Sequence, residues 1–269
     1  MLKLFIYSMI QFLKESTFAV NEVFVKSVEL LKRNYFSVAG LCFLLFITSN
    51  ASSALAVYFK DINVVLSIFM ALIFVVLYFG INLSLFKYIL SQIDREDHFS
   101  VSATIPSTKE LLNFFTAMIS IAGISIVMLL LFAVVCFPIV YLKVPVSSLA
   151  NIVLIGAAVF TFIFVIRVAF YPFFIIDRKE TSIRAIRLSF ALTKGNVTKL
   201  LLILAIFALL HLLQWYFNFM GYNILAVCLS FVNSFLVVPL SSIVITVAYR
   251  DMISDYQGGD DPAIIKNII

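Results

Sequence analysis

Five stretches of the chain contain no Asp, Glu, Lys or Arg: Asn34–Phe59, Ile62–Phe86, Leu111–Leu142, Val144–Ile166 and Leu200–Tyr249. Together they take up more than half of the 269 residues. A helix that crosses the hydrocarbon core of a bilayer needs about 20 consecutive apolar residues, and a charge within it finds no water. Each of the five runs is long enough, and the last is long enough twice. Composition removes the competing readings. Hydrophobic residues make up 63% of the chain, against roughly 45–50% in soluble domains, which excludes a disordered chain, a coiled coil and a disulfide scaffold. The expected fold is all-α, a polytopic integral membrane protein.

The first run predicts a span at about Tyr35–Val57 and the second one at about Val64–Leu85, joined through Tyr58–Asn63 as a tight hairpin. Leu111–Leu142 supplies the third span, and the fourth extends from about Ser148 to Phe170, with Lys143, Val144 and Pro145 at the turn between them. The last run divides at Asn218–Asn223, where Gly221 and two asparagines bring turn chemistry. Six transmembrane helices, arranged as three hairpins, put both termini on one side. Met1–Ile10 lacks the apolar core and cleavage site of a signal peptide and is expected to stay in the mature chain.

Basic residues near span ends are retained on the cytoplasmic side. The N-terminal segment carries Lys3, Lys14, Lys26, Lys32 and Arg33, and the connection between spans two and three carries Lys87, Arg95 and Lys109. Arg178, Lys179, Arg184, Arg187, Lys194 and Lys199 lie between spans four and five, with Arg250 and Lys266 in the tail. Only Lys60 and Lys143 fall on the opposite face. Both termini are therefore expected in the cytoplasm. The net charge of +5 describes an inner face that attracts anionic phospholipids. No basic stretch is interleaved with aromatic residues in the manner of a nucleic-acid binder.

Each inner segment ends alike before its hairpin. Ser27-Val-Glu-Leu-Leu-Lys-Arg-Asn34 matches Ser189-Phe-Ala-Leu-Thr-Lys-Gly-Asn196 at Ser, Leu, Lys and Asn, and Lys109 and Asn113 repeat the Lys and Asn ahead of the third span. Near-equal spacing suggests a repeated unit. The expected organisation is a single six-span domain over residues 1–250, with repeat units 1–90, 91–171 and 172–250, and a cytoplasmic tail over 251–269. Each unit would hold an interfacial amphipathic helix followed by a hairpin. In the first such helix Val20, Val23, Phe24, Ser27, Val28 and Leu31 recur at helical spacing; in the third, Ile183, Ile186 and Phe190 form the apolar side, with Arg184, Arg187 and Lys194 around it.

From the fourth span into the fifth the chain reads Tyr171-Pro-Phe-Phe-Ile-Ile-Asp177, then Ala185-Ile-Arg-Leu-Ser189, Leu192-Thr-Lys-Gly-Asn196 and Lys199-Leu-Leu. This resembles a superfamily of bacterial six-span membrane proteins that includes the membrane domain attached to some glycerophosphoryl diester phosphodiesterases, together with free-standing relatives. The likeness covers roughly Phe170–Leu202, and the six-span layout extends it loosely along the chain. It implies an all-helical protein of the bacterial inner membrane. The soluble phosphodiesterase domain of some relatives has no counterpart in this sequence, so its catalysis does not carry over. Asp94-Arg-Glu-Asp-His98, in the second inner segment, departs from the better-matching third.

Ionisable groups inside spans are costly and mark function. All fourteen acidic residues lie in connections or the tail, which counts against proton-coupled transport and two-carboxylate hydrolysis. Arg167 is the one charge well inside a span; snorkelling to phosphate or pairing with Asp177 is its expected role. In the fifth span His211, Gln214, Trp215 and Asn218 share one helical face, suited to hydrogen bonds between helices or to lining a cavity. A single His without a nearby second ligand predicts no metal, and no cofactor motif occurs. Cys42, Cys136 and Cys228 read as small apolar packing residues. Pro239 should kink the sixth span, with Ser234, Ser241 and Ser242 on hand for the freed carbonyls. Asp94–His98 reads as a solvated connection, and Gly258–Pro262 as a turn without a phosphate-loop pattern.

The favoured reading is a non-enzymatic membrane protein that organises lipid or a membrane partner complex through its basic inner face, chiefly Arg178, Lys179, Arg184, Arg187 and Lys194. Its rivals are a small-molecule or lipid transporter with a pathway between the hairpins, and a phospholipid-modifying enzyme using boundary acids such as Asp177.

Overall fold

The computed structural model describes residues 19–60, 63–94, 104–136 and 146–254. Met1–Ile10, the Lys143–Pro145 turn, residues 95–98 of the polar connection and the tail from 255 onward lie outside the described residues.

Regular structure among the described residues is helical throughout: α1 (Val20–Lys60), α2 (Val64–Ile93), α3 (Thr108–Cys136), α4 (Val146–Val168), α5 (Tyr171–Asp177), α6 (Ser182–Leu192), α7 (Val197–Phe219), α8 (Asn223–Val232), a π-helical turn at Asn233–Val237, and α9 (Val238–Ser254). Among the described residues six segments are long and apolar enough to cross a membrane: Val20–Ser52, Val64–Ile93, Thr108–Val135, Val153–Asp177, Val197–Phe219 and Ile224–Ser254. The long uncharged run does divide where its Gly and Asn predict, since Gly221 takes a φ of 79° between α7 and α8.

The described residues group into two compact units, one of residues up to 107 together with 201–257, the other of residues 108–200. In the first, α1 packs against α2 and α9, and α9 also meets α2. Its core is gathered near the charged ends of these helices. Val23, Leu31 and Val38 of α1 are buried there, with Leu83, Leu85 and Ile89 of α2 and Ile243, Val244, Tyr249 and Met252 of α9. Small residues allow this approach: Ser27, Ser84 and Ala248 are buried as well. The far half of α2 instead exposes Val65, Ile68, Phe69 and Leu72. An exposed apolar band of this size suits lipid and not water. Lys26 pairs with Asp251 at 3.0 Å, and Arg250 forms an ion pair with Asp94.

α1 is two helices that meet at a kink at Asn34, where φ is −119° and ψ is 19°, and the segment expected ahead of the first span lies before that kink. Along that segment Val23, Ser27 and Leu31 are buried while Val28 is exposed.

Within the second unit α3 packs against α4, α5 and α6, and α6 also meets α4 and α5. The stretch that carries the family resemblance supplies the core here: Phe173, Phe174, Ile175 and Ile176 of α5 and Ala185, Ile186, Leu188 and Leu192 of α6 are all buried. Tyr171 stacks on Phe114 of α3 at 5.4 Å between ring centres. Ser182 Oγ donates to Asn113 O at 2.8 Å, fixing the start of α6 to α3.

One local contact recurs 162 positions apart. Asn34 Nδ2 donates to Leu30 O at 3.3 Å, and Asn196 Nδ2 donates to Leu192 O at 3.5 Å. The corresponding asparagine before α3 behaves differently, since Asn113 Nδ2 reaches Glu180 O at 3.5 Å.

Candidate functional site

Ser189 is fully buried and joins α6 to the end of α4. Its hydroxyl donates to Arg167 O at 2.8 Å and accepts from Phe170 N–H at 3.1 Å. Thr193 Oγ1 lies 3.3 Å from the same Arg167 carbonyl. A helix end leaves carbonyls without partners, and two hydroxyls from α6 and its C-cap meet one of them. The Arg167 side chain follows the same route. Its guanidinium donates to Phe190 O at 2.9 Å and lies over the Phe190 ring, 5.1 Å from its centre. This replaces the expected pairing with Asp177, whose carboxylate is 3.5 Å from Arg178 Nε. A carbonyl and an aromatic face at the end of the span are closer to Arg167 than the acid that the sequence offered. Its Nε is buried with no hydrogen-bond partner among the described residues.

The basic residues of this segment divide into two kinds. Arg178 is held by Asp177, and Arg184 Nε lies 3.2 Å from Glu180 one helical turn earlier. Lys179 and Arg187 are exposed and have no ion pair among the described residues. Lys194 is also exposed. Lys179 takes a φ of 54°, which turns the chain so that Glu180 N–H reaches back to Phe174 O at 3.2 Å. The apolar side of α6 differs from the expected one. Ile186 is buried and Phe190 is half-buried, but Ile183 is 60% exposed and stands beside Arg184 and Arg187 on the outward side. Ser182, Ala185, Leu188, Ser189 and Leu192 complete the packed face.

The second candidate lies in α7 and α8 of the first unit. His211, Gln214, Trp215 and Asn218 line one side of an open cleft of about 550 Å3, with Ala226, Val227 and Ser230 of α8 along the other. The expected shared face is therefore present, while Arg167 belongs to the other unit with partners of its own. A residue that the spacing did not reveal organises the group. Asn233 Nδ2 is 2.7 Å from His211 Nδ1 and donates to Gln214 Oε1 at 3.0 Å. Asn233 Oδ1 is buried and has no hydrogen-bond partner.

Two further side chains escaped notice in the sequence. Pro239 has no N–H to give the turn before it, and in that turn Tyr35 Oη of α1 donates to Phe235 O at 3.1 Å. Ser241 and Ser242, expected to serve such carbonyls, both donate to Val238 O at 2.9 Å. Glu110, in the first turn of α3, is buried. Of the cysteines, Cys42 is buried as expected, whereas Cys228 is exposed on α8. No protein-family model, curated protein or solved structure matches the chain.

Proposed function

We propose that the chain is a non-enzymatic protein of a bacterial inner membrane that organises anionic phospholipid, or a membrane partner complex, through a basic cytoplasmic face. In this reading the six spans form three hairpins, both termini are cytoplasmic, and the inner segments, α6 above all, lie at headgroup depth. The charge asymmetry along the sequence and the superfamily resemblance of residues 170–202 support that placement.

The observation that carries the reading is the outward side of α6. One face is packed into the core, and the other presents exposed Ile183 between Thr181 and two exposed arginines. An apolar side chain beside cations is what a helix at the acyl–headgroup boundary needs, with the isoleucine meeting hydrocarbon and the guanidinium groups meeting phosphate.

The test is the affinity for phosphatidylglycerol in a background of zwitterionic lipid, read by native mass spectrometry. A basic residue near an anionic surface contributes about 1 kcal/mol. Arg187→Gln, which removes an unpaired charge, should weaken association about fivefold, and Arg184→Gln/Arg187→Gln roughly thirtyfold. Both losses should shrink as salt is raised. Lys60→Gln, on the opposite side, should change neither. A folded double variant with the parent's lipid preference would replace the lipid role with a protein partner. The cavity beside His211 favours a transporter as the second reading, and uptake of a radiolabelled solute by proteoliposomes would separate it from a binding role.

A further inference from the structure

Inside a membrane span, a polar group without a partner costs several kcal/mol, so such groups persist where something meets them. The cleft beside α7 concentrates them, with His211, Gln214, Trp215, Asn218 and Ser230 along its wall. The Trp215 indole N–H, the Asn218 amide and the Ser230 hydroxyl form no side-chain hydrogen bond among the described residues, and His211 keeps Nε2 free. Asn233, at hydrogen-bond distance from His211 and Gln214, opens the π-helical turn, a distortion that recurs at functional sites.

The lining defines the ligand by exclusion. Among the described residues it holds no Asp, Glu, Lys or Arg, and a charge brought into a span without a counter-charge is strongly disfavoured. An acyl chain would leave every one of these donors and acceptors unmet. A volume of about 550 Å3 falls within the roughly 300–1,000 Å3 of small-molecule sites. Hydroxyl groups both donate and accept, and so match a mixture of amides, imidazole, indole and a serine hydroxyl. At the rim Trp215 is 64% exposed and stacks on Phe219 at 5.7 Å, offering a flat apolar surface of the kind that the carbon face of a sugar ring covers.

We infer that this cavity binds an uncharged, polyhydroxylated group, as carried by a glycosylated diacylglycerol or by a free sugar. The inference stands whether or not the basic face of α6 binds anionic lipid.

The full chain in phosphatidylcholine nanodiscs is titrated with monoglucosyl diacylglycerol, with diacylglycerol lacking the sugar, with phosphatidylglycerol and with free glucose, and bound species are counted by native mass spectrometry. The glucosyl lipid should bind at least tenfold more tightly than diacylglycerol and phosphatidylglycerol. Binding of glucose as well assigns the head alone, and binding of the lipid only assigns head and tail together; both support the inference. Trp215→Leu/Asn218→Leu, at two exposed side chains without a side-chain hydrogen bond among the described residues, should abolish the preference with the unfolding temperature unchanged. Ser230→Ala, which removes only the hydroxyl, should weaken it severalfold should the double variant fail to fold. Equal binding of all four probes to the folded parent leaves a cavity filled by water only and overturns the inference, as does a preference for phosphatidylglycerol.

Discussion

The carbonyl of Phe235 lies in a turn to which Pro239 gives no N–H. Tyr35→Phe removes the hydroxyl that donates to it from α1 and should lower stability by about 1–2 kcal/mol, measured by reversible unfolding in mixed micelles. In a Pro239→Ala background the helix regains an N–H, so the same substitution should cost much less. Equal costs in both backgrounds would detach Tyr35 from the proline. Ser189→Ala poses the complementary case. It strips the partner from Phe170 N–H inside the core while Thr193 still faces Arg167 O, and should lower stability by about 1–3 kcal/mol. The missing N–H of Pro239 is legible in the sequence, but the hydroxyl that donates in the turn before it comes from 200 positions away. Nearby serines look better placed only because proximity along the chain is all that a sequence displays.

Among the elements, α6 and α8 show where periodicity succeeds and where it stops. Helical spacing groups His211, Gln214, Trp215 and Asn218 correctly, because all four lie on one undistorted helix. Asn233 is invisible to the same spacing, since the extra residue of the π turn shifts every later position out of the 3.6 period and its partners lie on another helix. For α6, spacing finds the arginines but puts Ile183 on the packed side. The buried stripe leans toward Ala185, Leu188 and Ser189, residues whose small size or polarity hides them from a search for large apolar side chains. The link between α5 and α6 makes its own prediction. A side chain at the φ of Lys179 costs about 1–2 kcal/mol in the left-handed region, most for β-branched residues. Lys179→Val should therefore destabilise by about that amount, and Lys179→Gly should match or exceed the parent in thermal unfolding.

For the whole molecule, the six apolar segments are legible because exclusion of charge from hydrocarbon leaves a mark that no packing detail can erase. Orientation rests on the distribution of Lys and Arg and is open to direct measurement. With the native cysteines replaced by Ala, single cysteines at Lys60 and Lys143 should react with an impermeant thiol reagent on intact cells, and those at Arg95 and Lys179 should not. The reverse pattern would move the α6 face to the outer surface. The length of α1 has a separate consequence. Its 41 residues would make a straight rod of about 62 Å, twice the roughly 30 Å hydrocarbon core. The part from Asn34 onward covers about 40 Å, close to a bilayer with its headgroup layers. Asn34 thus acts as a depth mark, with a short lever below it tethered to the end of α9 through Lys26 and Asp251. In a thinner bilayer the kink at Asn34 gives the rod a place to bend, so that the part beyond it can match the thinner core without tilting the part before it.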